Sequence, residues 1–174
     1  MLLDLMDALK NQGDSRPFKI SGCLPDGFLP DDVKLTSPVT VSGTMTAFGH
    51  DVALVGEAFT EADVRCGLCL KPLKIKISFD YGELLRRQGY QGEDEDVAEE
   101  DVQELMYFDG SSCDISESVA HALLLHLPMR HVCSQDCKGL CAGCGKDLNE
   151  GACVCGPDEN SPFAALASLF TEEE

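Results

Sequence analysis

Residues 39–47 read VTVSGTMTA, and this run decides the fold class. Val39, Val41, Gly43, Met45 and Ala47 alternate with Thr40, Ser42, Thr44 and Thr46. A period of two, rich in β-branched residues, predicts a strand with one buried face. Phe48–Asp51 (FGHD) is a turn, and Val52–Thr60 is a second strand. The connection is too short for a crossover, so the two strands are antiparallel. Ile75, Ile77, Phe79 and Tyr81 alternate with Lys74, Lys76 and Ser78 and predict a third strand. Leu105–Phe108 (LMYF) offers one more.

The strongest helical spacing follows. Val119, Leu123, Leu124 and Leu127 lie on one stripe, Asp114 with Glu117 three residues later forms a capping pattern, and Pro128 ends the run. The expected class is α+β: an antiparallel β-sheet of three to five strands packed by a long helix. A C-terminal cysteine-rich zinc-binding module and a short closing helix complete it.

These patterns divide the chain into four parts. Residues 1–37 are an N-terminal segment, with a short helix over Met1–Lys10 and a short strand over Pro17–Ser21. Residues 38–128 hold the sheet and helix, interrupted by an acidic mobile loop at about 82–104. Residues 129–160 are the cysteine-rich zinc module. Residues 161–174 are a C-terminal helix, capped by Ser161-Pro162 and striped by Phe163, Leu166, Leu169 and Phe170, with an acidic tail.

The formal charge of the 174-residue chain is −18. A uniformly acidic surface is repelled by phosphate backbones, which favours protein partners unless the bases gather locally. They do gather: Arg65, Lys71, Lys74 and Lys76 lie within Val64–Phe79 without an acid, and Arg130, Lys138 and Lys146 lie within Pro128–Lys146 against Asp136 alone. Such a patch can meet RNA, or can simply balance thiolate charge. No secretory signal or membrane-spanning run is visible, so an intracellular, cytoplasmic protein without a membrane partner is expected. No nucleophile–base–acid triad and no phosphate-cradling loop stands out, which argues against an enzyme or a small-molecule substrate. His50, His121, His126 and His131 read as structural or solvated.

Six of the ten cysteines fall in Cys133–Cys155, CSQDCKGLCAGCGKDLNEGACVC, and Cys66-Gly67-Leu68-Cys69 supplies a further pair. Cys23 and Cys113 stand alone and read as small hydrophobes. In a reducing compartment clustered cysteines are metal ligands before they are disulfides. A C-x2-C turn lets two thiolates converge on one zinc ion, and Gly145 after Cys144 suits the turn. Cys141, Cys144, Cys153 and Cys155 are therefore the first-choice zinc ligands. Cys133, Cys137, Cys66 and Cys69 are four more, available for a second site, and spacing leaves a single site shared among the eight open. Four thiolates close the coordination sphere, so such an ion is structural. Two other readings stand beside this one: a thiol-redox or metal-sensing protein using Cys66 and Cys69, and a protein-only adaptor whose acidic loop docks a basic protein.

Leu127-Pro128, Cys133, Cys137-Lys138-Gly139-Leu140-Cys141, Cys144-Gly145, Asp147-Leu148-Asn149 and Cys153-x-Cys155 together resemble the large ribosomal RNA subunit accumulation protein family, the YceD family of bacteria and plastids. Arg65-Cys66-Gly67-Leu68-Cys69-Leu70 and the ending Ser161–Leu169 are similar to its other motifs, and the resemblance covers about residues 38–170. It implies a non-catalytic ribosome-assembly factor that promotes accumulation or processing of large-subunit (23S) ribosomal RNA. The implied partners are precursor large-subunit rRNA, a ribosomal protein, or both. Lys71, Lys74, Lys76, Arg130 and Lys138 are the candidate contacts.

Overall fold

The computed structural model describes residues 1–25, 27–89 and 106–155. The expected C-terminal helix, the acidic tail and most of the acidic loop lie outside the described residues. The chain divides into two compact units. One comprises Met1–Arg65 with Pro72–His131, and the other comprises Cys66–Lys71 with the segment from Val132 onward.

The first unit is built on strands. In order they are β1 (Leu2–Asp4), β2 (Ser15–Gly22), β3 (Lys34–Leu35), β4 (Val39–Phe48), β5 (Asp51–Arg65), β6 (Pro72–Arg87), β7 (Met106–Phe108) and β8 (Ser112–Asp114). Two helices, α1 (Met6–Lys10) and α2 (Ser116–His126), complete the described elements. The main sheet runs β2-β4-β5-β6-β7, with β3 also paired to β5, and β1 pairs β8 separately. The alternation of residues 39–47 is realised directly in β4. Val39, Val41, Met45 and Ala47 are buried, while their threonine and serine neighbours face the other way.

Several expectations need correction. The sheet has six strands rather than three to five, and β7 pairs parallel to β6. Residues 1–37 are not a segment apart from the sheet: β2 pairs with β4 along its whole length, Ser15 against Thr46 to Gly22 against Val39. Residues 82–87, assigned by charge to the acidic loop, are the end of β6. Leu85 is buried and Arg86 forms a two-pronged ion pair with Asp51 at 2.9 Å on both arms. That bidentate geometry, partly shielded from water, explains why a charged stretch stays in the ladder.

The helix is also shorter than expected and does not carry the fold. At 11 residues α2 spans three turns, and it buries Ser116, Val119, Ala120 and Leu123, whereas Leu124 and Leu125 are exposed. Its contacts with β6 are specific. The Tyr81 hydroxyl meets Ser118 Oγ at 3.1 Å, and the Phe79 and His126 rings stack at 5.0 Å. The Asp114 carboxylate accepts the Ser116 N–H at 3.0 Å, but the cap position itself belongs to Ile115. The bulk of the core is sheet. Leu54, Ala58, Val64, Ile77, Phe79 and Leu85 form one cluster with Leu3, Leu5 and Ala8 from the N-terminal elements and Val119 and Leu123 from α2.

One pair of glycines fixes how tightly β4 and β5 approach. Gly43 and Gly56 are cross-strand partners, and a Cβ built on Gly43 would lie 2.2 Å from the Val55 carbonyl oxygen. No side chain fits there without moving backbone.

Candidate metal centres

Cys66–Lys71 is the connection between β5 and β6, so the first cysteine pair sits in the turn of the longest hairpin. Its backbone repeats in the second C-x2-C turn. The Leu70 N–H donates to the Cys66 carbonyl at 2.9 Å, and the Gly145 N–H donates to the Cys141 carbonyl at 2.8 Å. The Cys66 N–H donates to the Lys71 carbonyl at 2.9 Å, and the Cys141 N–H to the Lys146 carbonyl at 2.8 Å. The residue after the second cysteine is left-handed in both, Leu70 at φ 60° and Gly145 at φ 72°. Glycine adopts this conformation freely; leucine does so only against a steric penalty. The two turns are one motif built twice.

The structure gathers the eight cysteines into two groups of four. Cys66, Cys69, Cys133 and Cys137 form an inner centre, and Cys141, Cys144, Cys153 and Cys155 form an outer one. Within each group all four sulfurs lie within 4.8 Å of one another, and either group could hold a metal ion. Sulfurs about 2.3 Å from a common ion in a tetrahedron stand about 3.8 Å apart. Sγ–Sγ separations are 3.9 Å for Cys66–Cys137, 3.6 Å for Cys69–Cys133 and 3.3 Å for Cys141–Cys153. These distances exceed the roughly 2.05 Å of a disulfide, and all ten cysteines are free. Cys66 and Cys69 are buried, whereas Cys144 and Cys155 are exposed. Cys113 is buried and Cys23 exposed, and neither joins a group.

The electrostatics of each group suit a cation. The Cys69 amide, helped by that of Leu68, donates toward the Cys66 sulfur and holds its pKa down to about 6 despite burial. The Cys144 amide does the same for Cys141, with the Cys153 thiol and the Gly143 amide adding to it, again to about 6. The remaining thiols cannot follow. For Cys69 the Lys71 amide pulls down, but burial and the neighbouring thiols carry its pKa up to about 12. Cys155 is pushed up to about 12 by Cys144 and then Cys141. Four thiols this close cannot all ionise unless a positive charge sits among them.

Around the inner centre lie polar groups that sequence spacing does not reveal. Asn149 Nδ2 donates to Cys137 Sγ at 3.4 Å, lowering that thiol's pKa, and Asn149 Oδ1 accepts the Lys138 N–H at 2.9 Å. Lys71 Nζ pairs with Asp147 at 2.9 Å and Glu150 at 3.6 Å. Lys146, expected to offset thiolate charge, instead donates from Nζ to the Ala152 carbonyl at 3.0 Å. The only local hint of this network was Asp147-x-Asn149, an Asx-turn spelling; its long-range partners depend on tertiary folding.

The candidate RNA contacts fall in different settings. Lys74 and Lys76 are exposed on β6, on the sheet face opposite Ile77 and Phe79, in register with Asp63 and Glu61. Lys76 Nζ lies 3.8 Å from Glu61. Arg130 and Lys138 are exposed. Lys71 is engaged by two carboxylates.

The sequence profile of the family described as large ribosomal RNA subunit accumulation protein YceD matches residues 54–170, which include all eight cysteines of the two centres. A chloroplastic large ribosomal RNA subunit accumulation protein YCED homolog 1 of Arabidopsis thaliana is 31% identical over 65 residues, covering 35% of this chain and 20% of that protein. The protein of the same name in Zea mays is 34% identical over 58 residues, covering 33% and 20%. The chain thus matches only about a fifth of the length of these curated relatives. No solved structure matches it. On the extent of the profile match, the chain belongs to the YceD family of large ribosomal RNA subunit accumulation proteins.

Proposed function

We propose that this chain is a non-catalytic ribosome-assembly factor that promotes accumulation and processing of large-subunit (23S) ribosomal RNA, acting in the cytoplasm and stabilised by zinc. The observation that carries this reading is the family match, which spans both C-x2-C turns, β6 and β5 from Leu54 onward. Zinc is the metal that four thiolates in closed tetrahedral sets suit best. Two further thiols beside Cys66 and Cys69 support a metal role for that pair over a redox one. No helix among the described residues is long and apolar enough to cross a membrane.

The contacts we favour are Lys74, Lys76 and Arg130 in the first unit and Lys138 in the second, each taken by itself, because Lys71 would have to leave two carboxylates to reach a phosphate. Removing the gene and measuring mature and precursor large-subunit rRNA against small-subunit rRNA tests the function. A fall in the mature large-subunit species is expected, and an unchanged ratio would reject it. Reversing charge at Lys74 and Lys76 should weaken binding to precursor rRNA and lower the salt slope by about one per lost phosphate contact.

The net charge of −18 favours a second reading, an adaptor that holds a basic ribosomal protein and does not touch RNA. Its arm would be the acidic loop, most of which lies outside the described residues. If the lysine reversals leave RNA binding intact while deletion of residues 88–100 abolishes association with a ribosomal protein, the adaptor reading replaces the RNA one.

A further inference from the structure

The outer centre does more than close its own turn. Cys144 and Cys153, both its ligands, bracket a strap of residues 145–152. The strap's ends are tied at the outer centre, by the Gly145 N–H to the Cys141 carbonyl and by Lys146 Nζ to the Ala152 carbonyl. Its middle is tied to the inner centre. Asn149 donates to Cys137 Sγ and accepts the Lys138 N–H, and the Leu148 N–H donates to the Gly139 carbonyl at 2.9 Å. Asp147 holds Asn149 in place, accepting its backbone N–H at 2.9 Å and its Nδ2 at 2.7 Å, while also pairing with Lys71, two residues beyond Cys69.

We propose that the two centres bind metal as a coupled pair, with Asn149 as the positioning residue that links them. This rests on the reading of both cysteine groups as metal centres. An ion in the outer centre fixes both ends of the strap. The fixed strap presents the Asn149 amide to the Cys137 thiolate, one of the inner ligands. A donor aimed at a ligating sulfur offsets part of the excess negative charge of four thiolates around a divalent ion and orients that ligand. Filling the outer centre therefore raises the affinity of the inner one, and linkage requires the converse by the same factor.

The test uses the full chain, reduced and metal-free, titrated with zinc in competition with a chromophoric chelator, with ion counts read by native mass spectrometry. The Cys153→Ser/Cys155→Ser variant reports the inner centre alone, and the Cys133→Ser/Cys137→Ser variant the outer centre alone. The overall two-ion constant of the unaltered chain is expected to exceed the product of these two constants by about tenfold, the scale of outer-shell effects on metal affinity. Asn149→Ala in the full-cysteine chain should keep two ions per chain and lower the two-ion constant by about the same factor, a measurement that stands even if a cysteine variant does not fold. A two-ion constant equal to the product, or one unchanged by Asn149→Ala, overturns the coupling while leaving the metal reading intact. Fewer than two ions on the unaltered chain overturns the metal reading and the coupling with it.

Discussion

Leu70 is the residue most at odds with its local conformation. At φ 60° it fills the position that glycine fills in the matching turn, and its side chain is 55% exposed. Left-handed backbone costs a leucine about 1–2 kcal/mol, while glycine returns part of that gain through its freer unfolded chain. Leu70→Gly is therefore expected to stabilise the metal-loaded protein by about 1 kcal/mol, seen as a higher thermal midpoint; a lower midpoint would assign the leucine side chain a contact role. The thiols give a second prediction at this scale. Cys66 and Cys141 sit at about 6, below the ordinary 9.0, so the fold favours their thiolates. The stability they contribute to the metal-free protein is complete above pH 9 and is lost as pH falls through about 6. In metal-free protein, half-buried Cys141 should alkylate with a rate that rises through pH 6. Exposed Cys155, pushed up to about 12, should stay slow at neutral pH. Peptide mapping by mass spectrometry after timed iodoacetamide exposure checks this, and equal rates would contradict the assigned geometry.

Among the elements, α2 shows how far pattern alone reaches. Four apolar positions predicted its buried stripe, yet Leu124 points out and Ala120 points in. The face was set by Ile115, Val119 and Leu123, which meet the sheet core. Leu123 is fully buried, and Leu123→Ala should cost about 2–5 kcal/mol in urea unfolding. Leu125, 83% exposed, should tolerate the same change within about 0.5 kcal/mol. Comparable losses at both sites would mean that the helix is turned differently. The strands were more legible because alternation needs only a two-residue period, and β4 obeys it from Val39 to Ala47. The far end of β6 was not, because Arg86 looks like loop in sequence and becomes strand through Asp51, 35 positions away.

At the scale of the whole molecule, each unit has its own means of stability. The sheet cluster contains none of the eight gathered cysteines, and the 66–71 and 132–155 segments are held by those cysteines and the polar strap. Removing metal with a chelator under reducing conditions should lower amide protection in 66–71 and 132–155 while β4, β5 and β6 keep theirs. Hydrogen exchange read by mass spectrometry checks this, and loss of protection in both regions together would show that the sheet depends on the ions. The sequence by itself determined the α+β class, the grouping of Cys141 and Cys144 with Cys153 and Cys155 as first choice, and the family, because alternation, C-x2-C spacing and motif order are local properties of the chain. Only the tertiary structure decided that Cys66 and Cys69 join Cys133 and Cys137, that β2 and β3 from residues 1–37 enter the main sheet, and that Asn149 serves Cys137. Each of these is a meeting of segments far apart in the chain. Such meetings are fixed by strand register and by buried polar groups finding their partners, which no local spacing records.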